Sequence, residues 1–476
     1  MKNQAQLIAY VDRFSGGGLR VFQSLLQGPL KGAFGGVHLL PFFYPIDGAD
    51  AGFDPIDHTR VDPRLGTWDD LRALGEHVEI MADLIVNHIS SRSPQFVDYD
   101  ERGAASPYAG MFLTYTTVFG EGAPEADLLQ LYRPRPGLPF TKYELRHGEQ
   151  RLLWTTFTGE QIDIDIHHPE GKRYLANILG QFHAAGIRAI RLDAVGYAIK
   201  KAGTSCFMIP ETFEFISELT AQAHTLGIEV LVEIHSHYLE QIEIAKHVDW
   251  VYDFALPPLV LHTLYTRNAR HLKRWFEVRP RNAVTVLDTH DGIGVLDVGA
   301  DRKGGDLPGL LAPEEINELL ETIHQRSHNE SRQATGAAAN NLDLYQVNCT
   351  FYDALGRRDD EYLIARALQL FTPGIPQIYY VGLLAGTNDM NLLRRTSVGR
   401  DINRHYYSED EIHTELKRPV VRSLLDLIRF RNTHAAFAGE CHVMPSPDHE
   451  ISIEWLKGSE RARLHVDLKS MRFEVA

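Results

Sequence analysis

Asp193, Glu233 and Asp291 stand at the ends of three apolar runs. Asp193 closes Ile187-Arg188-Ala189-Ile190-Arg191-Leu192-Asp193, Glu233 closes Val230-Leu231-Val232-Glu233, and Asp291 follows Val284-Thr285-Val286-Leu287-Asp288-Thr289-His290. Each run reads as a short buried strand rich in β-branched residues. A carboxylate just past a buried strand costs free energy unless it is paired, and structure alone rarely asks for three. Two carboxyl groups on either side of a sugar carbon can perform glycosyl transfer, one attacking and one delivering a proton. The separations of 40 and 58 residues fit one and two strand-plus-helix units of an eight-fold barrel averaging about 30 residues per unit.

The neighbours of these acids refine the chemistry. Arg191 lies two residues before Asp193, hence on the same side of a strand, where its guanidinium would keep Asp193 ionised as a nucleophile must be. Glu233 in Val232-Glu233-Ile234-His235 sits where a strand meets a loop, and as a general acid it needs surroundings that favour its protonated form. His290 beside Asp291, and His88 at the end of Asp83-Leu84-Ile85-Val86-Asn87-His88, can donate hydrogen bonds to substrate hydroxyls. His290 has no HxH or HxxxH partner, and the acids of 47–57 do not follow a twelve-residue calcium loop, so no metal site is expected. Phe53, Phe157 and Tyr197 are candidates for an apolar platform under a sugar ring, Tyr197 above all because it lies four residues beyond Asp193.

Positioning these groups requires a scaffold. Strands are expected near 7–12, 36–42, 80–87, 187–193, 229–234, 249–254, 283–288 and 375–381, with helices at 65–78 (N-cap Thr67), 168–185, 210–226 and 418–434. Such alternation favours parallel βα units. The gaps 89–165 and 292–355 exceed ordinary loops and are expected to be inserted subdomains on the catalytic face. Ile451-Ser452-Ile453-Glu454-Trp455-Leu456 alternates with period two. The expected fold is therefore an α/β (β/α)8 TIM barrel built from 1–88, 166–291 and 356–435, carrying the two insertions and a small C-terminal antiparallel β domain over 436–476.

Bulk properties narrow the class. The 476 residues are 44% hydrophobic and 23% charged, ordinary for a globular enzyme. A net charge of −15 argues against nucleic acid and against an anionic membrane surface as partners. Cys206, Cys349 and Cys441 are odd in number and far apart, as in a reducing compartment. The N-terminal stretch is too short and too quickly polar for a signal peptide, and no apolar run approaches about 18 residues, so a cytoplasmic location is expected.

Together the four blocks around His88, Asp193, Glu233 and Asp291 resemble the regions that mark the α-amylase superfamily of glycoside-active enzymes. The likeness narrows to the sucrose phosphorylase group through 47–58, 132–140, 252–258, 341–348 and Gly399-Arg400-Asp401-Ile402-Asn403-Arg404-His405-Tyr406-Tyr407. It implies that Asp193 is the nucleophile, Glu233 the general acid/base and Asp291 the transition-state stabiliser, with Arg191, His88 and His290 gripping the sugar. It further implies that Asp50 and Arg400 pair to close the glucose subsite. Tyr132, Arg135 and His235, with the Asp343-Leu344-Tyr345-Gln346 loop, would serve the acceptor and phosphate. Phosphate entering an acidic protein needs a local cation, and prolines at 134, 136 and 139 stiffen the loop that carries Arg135.

The activity implied is reversible phosphorolysis of sucrose through a β-glucosyl-enzyme, with inorganic phosphate as co-substrate, no cofactor, and a homodimeric assembly. Sister specificities for sucrose 6′-phosphate, glucosylglycerol or glucosylglycerate share the same catalytic residues. Sucrose hydrolysis and a non-catalytic sugar-binding role are further alternatives. The 132–140 stretch and the 343–346 loop favour plain sucrose, because a phosphorylated acceptor calls for basic residues that the second loop lacks.

Overall fold

The computed structural model describes residues 1–135, 137–301, 307–335 and 346–476. Eight strands, β1 (Gln6–Ala9), β2 (Gly36–Leu39), β3 (Glu79–Ile85), β4 (Ala189–Asp193), β5 (Glu229–Val232), β6 (Trp250–Asp253), β7 (Ala283–Thr285) and β8 (Ile375–Tyr379), form a closed barrel in plain chain order. The registers of β4 with β3 and β5, β6 with β7, β7 with β8 and β8 with β1 are all parallel. β1, β2, β7 and β8 are buried at every position, as expected of strands covered on both faces. All eight lie where the apolar runs place them, and all but β4, which ends at Asp193 as expected, stop earlier. The run expected to 288 leaves the barrel after Thr285 and continues as loop.

The expected helices form as α1 (Trp68–Gly75), α2 (Pro169–Ala184), α3 (Pro210–Thr225) and, near the end of the chain, a helix over Pro419–Thr433. Thr67 caps α1 in a capping box with Asp70. Proline opens α2 and α3, where its missing N–H costs nothing. Three further helices bear on the argument below: α4 (Leu256–Thr266), α5 (Arg270–Val278) and α6 (Pro313–Arg326).

The chain divides into two compact units, one of residues 1–38, 235–246 and 250–476, the other of 39–234 and 247–249. The second unit contains the long insertion after β3. A helix over Pro94–Arg102 and a hairpin of Phe140–Glu144 with Gln150–Trp154 build it, around Leu113, Phe119, Leu131 and Trp154. In the first unit, Ile293–Gly294 pairs antiparallel with Gln346–Val347, both within the other expected insertion, 292–355. The period-two run becomes one strand of a four-stranded antiparallel sheet, Glu440–Met444, Glu450–Lys457, Glu460–Asp467 and Arg472–Val475. Ile451, Ile453 and Trp455 are buried, and the Trp455 indole donates to the Phe371 carbonyl at 2.8 Å, fastening the sheet to the helix over Asp359–Phe371. Among the described residues no helix is long and apolar enough to cross a membrane.

Candidate active site

In the second unit the barrel strands deliver their carboxylates to one guanidinium. Asp193 is the last residue of β4, and Glu233 is the first residue after β5. Arg191, on β4, has a side chain only 2% exposed. Its Nη1 lies 3.1 Å from Asp193 Oδ1 and 2.5 Å from Asp83 Oδ1, and its Nη2 lies 2.6 Å from Glu233 Oε2. Period two supplies the Arg191–Asp193 contact, and parallel register sets Asp83 of β3 opposite Arg191. Adding the two hydrogen-bond lengths to the span of one guanidinium limits the Asp193 and Glu233 oxygens to about 8 Å apart. Both carboxyl groups therefore serve one small space.

Around this clasp the second unit places an apolar and hydrogen-bonding lining. The Arg191 guanidinium lies 5.4 Å from the centre of the Phe53 ring, within cation–π range. The Phe53 carbonyl accepts from His88 Nε2 at 3.1 Å. Burial lowers the His88 pKa, so the ring is neutral, and the carbonyl partner fixes its proton on Nε2. Phe157 packs edge-on to both His88 and Tyr197, at 5.4 and 5.3 Å between ring centres. Tyr197 in turn meets Tyr132 at 6.0 Å, and Arg135 lies over the Phe157 ring at 5.9 Å. The residues expected to bind sugar (Phe53, His88, Tyr197) and those expected to bind acceptor (Tyr132, Arg135) thus form one continuous chain of contacts. Asp50 sits in a tight turn with Ala51, both left-handed at φ 49° and 55°, a conformation that aspartate tolerates and alanine does not favour.

The first unit organises a second group. Asp291 is buried, and Arg400 Nη1 lies 2.8 Å from its Oδ1. Arg400, expected to pair with Asp50, has Asp291 as its partner within its own unit. His290 Nε2 is 3.7 Å from Asp291 Oδ1, and the His290 carbonyl accepts from Arg404 Nε at 2.8 Å. Gln346 lies beside this group: its Oε1 accepts from the Gly292 N–H at 3.1 Å. His235 stacks on Phe254 with ring centres 4.0 Å apart, and its Nδ1 faces Asp297 Oδ2 at 3.3 Å. Asp343, Leu344 and Tyr345 lie outside the described residues.

Several participants were not singled out from sequence. Asp83 was visible as an acid inside an apolar run, a signal of pairing. Arg404 lies in the 399–407 motif, but its partner, the His290 carbonyl, is fixed only by the fold. Asp297 joins His235 to Gln241, whose Nε2 donates to it at 2.6 Å. Lys200 joins Asp163 at 2.8 Å and Asn87 at 2.9 Å, beside the short strand His88–Ser90 that opens with His88.

Comparisons with known proteins bear on the family of the chain. Residues 32–291, more than half of the chain, match the family model of the alpha-amylase catalytic domain. The chain is 62% identical to a sucrose phosphorylase of Agrobacterium vitis over 466 residues, covering 98% of this chain and 95% of that protein. It is 54% identical to a sucrose phosphorylase of Bifidobacterium adolescentis over 469 residues, covering 98% and 93%. Among solved structures, sucrose 6F-phosphate phosphorylase of Thermoanaerobacter thermosaccharolyticum superposes with a TM-score of 0.91 at 39% identity, covering 100% of this chain and 95% of that one.

Proposed function

The chain belongs to the alpha-amylase family, within its sucrose phosphorylase branch, and from that premise we propose that it catalyses the reversible phosphorolysis of sucrose to α-D-glucose 1-phosphate and D-fructose. The observation that carries the reading is the Arg191 clasp, which ties Asp193 and Glu233 to one guanidinium. In the forward direction Glu233 gives its proton to the bridging oxygen as the bond from C1 to fructose breaks, while an Asp193 oxygen attacks C1 from the opposite face. A β-glucosyl ester and free fructose result. A phosphate oxygen then attacks C1, the ester bond breaks to restore the Asp193 carboxylate, and the proton of the phosphate passes to Glu233. Two inversions give net retention.

Asp291 steadies the oxocarbenium-like transition state, with Arg400 holding its carboxylate in place. Asp50, Phe53, His88, Arg191, Tyr197, His290 and Arg400 bind the glucosyl unit. The neutral, oriented His88 and the cation-capped ring of Phe53 support this assignment. Tyr132, Arg135, His235, Asp343, Leu344, Tyr345 and Gln346 receive fructose or phosphate. The position of Arg135 over Phe157 supports a cation for phosphate on that loop. Phosphate is the co-substrate, and the reaction uses no metal or organic cofactor. The protein works as a homodimer in the cytoplasm, a setting in keeping with its three free cysteines.

Plain sucrose is favoured over phosphorylated or glycerol-based glucosides, because identity to the sucrose 6F-phosphate enzyme is 39% against 62% and 54% to the two sucrose phosphorylases. A panel of sucrose, sucrose 6′-phosphate, glucosylglycerol and glucosylglycerate, each with and without phosphate, tests the reading. Phosphate-dependent glucose 1-phosphate release is expected with sucrose well above the others. A preference for another glucoside, or free glucose as the main product when phosphate is present, rejects it.

A further inference from the structure

Two histidines and a glutamate on three separate helices of the first unit converge: His262 on α4, His271 on α5 and Glu315 on α6. One nitrogen from each histidine and one oxygen of the carboxylate all lie within 4.8 Å of one another. Glu315 Oε1 is 3.0 Å from His271 Nε2 and 3.7 Å from His262 Nε2. A four-coordinate ion with bonds of about 2.0–2.2 Å separates its donors by roughly 3.4 Å, midway between those two distances. We propose that His262, His271 and Glu315 form a binding site for a divalent transition metal of the zinc type, completed by water, which fastens α6 to α4 and α5. None of the three belongs to the groups assigned to sugar or phosphate.

The donor set and its support fit that class of ion. Two imidazoles and a carboxylate suit zinc and its neighbours, whereas calcium and magnesium demand all-oxygen sites. The second oxygen of Glu315 is held by the Ala312 N–H at 2.8 Å, so the carboxylate is aimed before any ion arrives. His262 is buried, and its Nδ1 has no hydrogen-bond partner among the described residues. No bond therefore fixes its tautomer against presenting Nε2. His271 and Glu315 remain a quarter and a third exposed, leaving an entry path and a place for water. A net charge of −15 draws cations to the surface.

The test uses the full chain after dialysis against a chelator, titrated with cobalt(II) and zinc(II). One equivalent of cobalt(II) should produce the visible absorption bands of a four- or five-coordinate site, and zinc should displace it and raise Tm. His271→Ala should weaken binding at least tenfold and abolish the Tm gain. Glu315→Gln retains a side chain that can cap α6, so it should lower metal affinity while the metal-free Tm stays close to that of the parent. Sucrose phosphorolysis should persist in both variants without added metal. Absence of the cobalt bands in the parent protein, or zinc affinity in His271→Ala and Glu315→Gln equal to that of the parent, overturns the proposal and leaves the cluster as a hydrogen-bonded ion pair.

Discussion

Asp83 lies opposite Arg191 in the parallel register of β3 and β4, and its Oδ1 stands 2.5 Å from Arg191 Nη1. Asp83 is fully buried, and the guanidinium it pairs with is the one that holds Asp193 and Glu233. It is a positioning residue: it balances and aims the arginine that also pairs with Asp193 and Glu233. Asp83→Asn should therefore misplace both carboxyl groups. Removing one partner of a buried pair costs about 3–5 kcal/mol of stability. Denaturant unfolding should show that loss, and kcat should fall while KM for sucrose changes little. Unchanged kcat in a folded variant would remove Asp83 from this role.

Asp193→Asn deletes the attacking oxygen but keeps the shape of the side chain. Phosphorolysis should drop by on the order of 10^4-fold or more, as it does when other covalent nucleophiles are removed. The far-ultraviolet dichroism and melting curve should stay native-like. Substantial glucose 1-phosphate release by the variant would take Asp193 out of the nucleophile role.

Asp54 predicts a pH dependence. Burial pushes its carboxyl up to about 7, and its Oδ1 has no partner among the described residues. The folded state then holds a proton that the unfolded chain releases near pH 4. Between those values the folded state binds more protons, so this group stabilises the fold at acid pH and loses that contribution as pH rises through about 7. Asp54→Asn, neutral throughout, should gain stability over the parent as pH moves from 5 to 8, by roughly 3 kcal/mol at most. Parallel unfolding curves at the two pH values, with no difference in the gain, would contradict the burial argument.

Gly292 follows Asp291, and a Cβ placed on it would meet Asn348 Oδ1 at 2.7 Å, Gln346 Cβ at 2.9 Å and the Val347 carbonyl at 3.0 Å. Gly292→Ala must push the Gln346–Val347 strand away and weaken the bond from its N–H to Gln346 Oε1. KM for phosphate or fructose should rise severalfold, with a smaller effect on glucosyl-enzyme formation measured by the rate of fructose release in a single turnover. An unchanged KM for both acceptors would separate Gln346 from the acceptor site.

The fold was largely legible because buried parallel strands are continuous apolar runs, and turn residues and N-caps such as Thr67 bound the helices. Strand ends were overestimated, as after Thr285, because loops that carry functional groups are also apolar where they cover the barrel. Within the site, period two ties Arg191 to Asp193 by local geometry. The choice of Glu233 and Asp83 as the other partners of the same guanidinium depends on register between strands, which no local pattern encodes. Arg400 and Asp291 are a further case. A cation in an acid-rich neighbourhood has several candidate partners, and its approach to Asp291 is set by the path of the 3-10 helix over Gly399–Asn403 rather than by spacing. The His262–His271–Glu315 cluster was invisible for the same reason, since its members come from three helices.

The placement of Arg191 against both carboxyl groups has a consequence for the cost of the reaction. When Asp193 becomes a neutral ester, the negative charge it gives up is matched by the charge that Glu233 acquires on releasing its proton. The cation between them faces the same total charge before and after the sugar changes hands, one carboxylate at one nitrogen or the other, so no further ion has to enter or leave the site between the first bond exchange and the second.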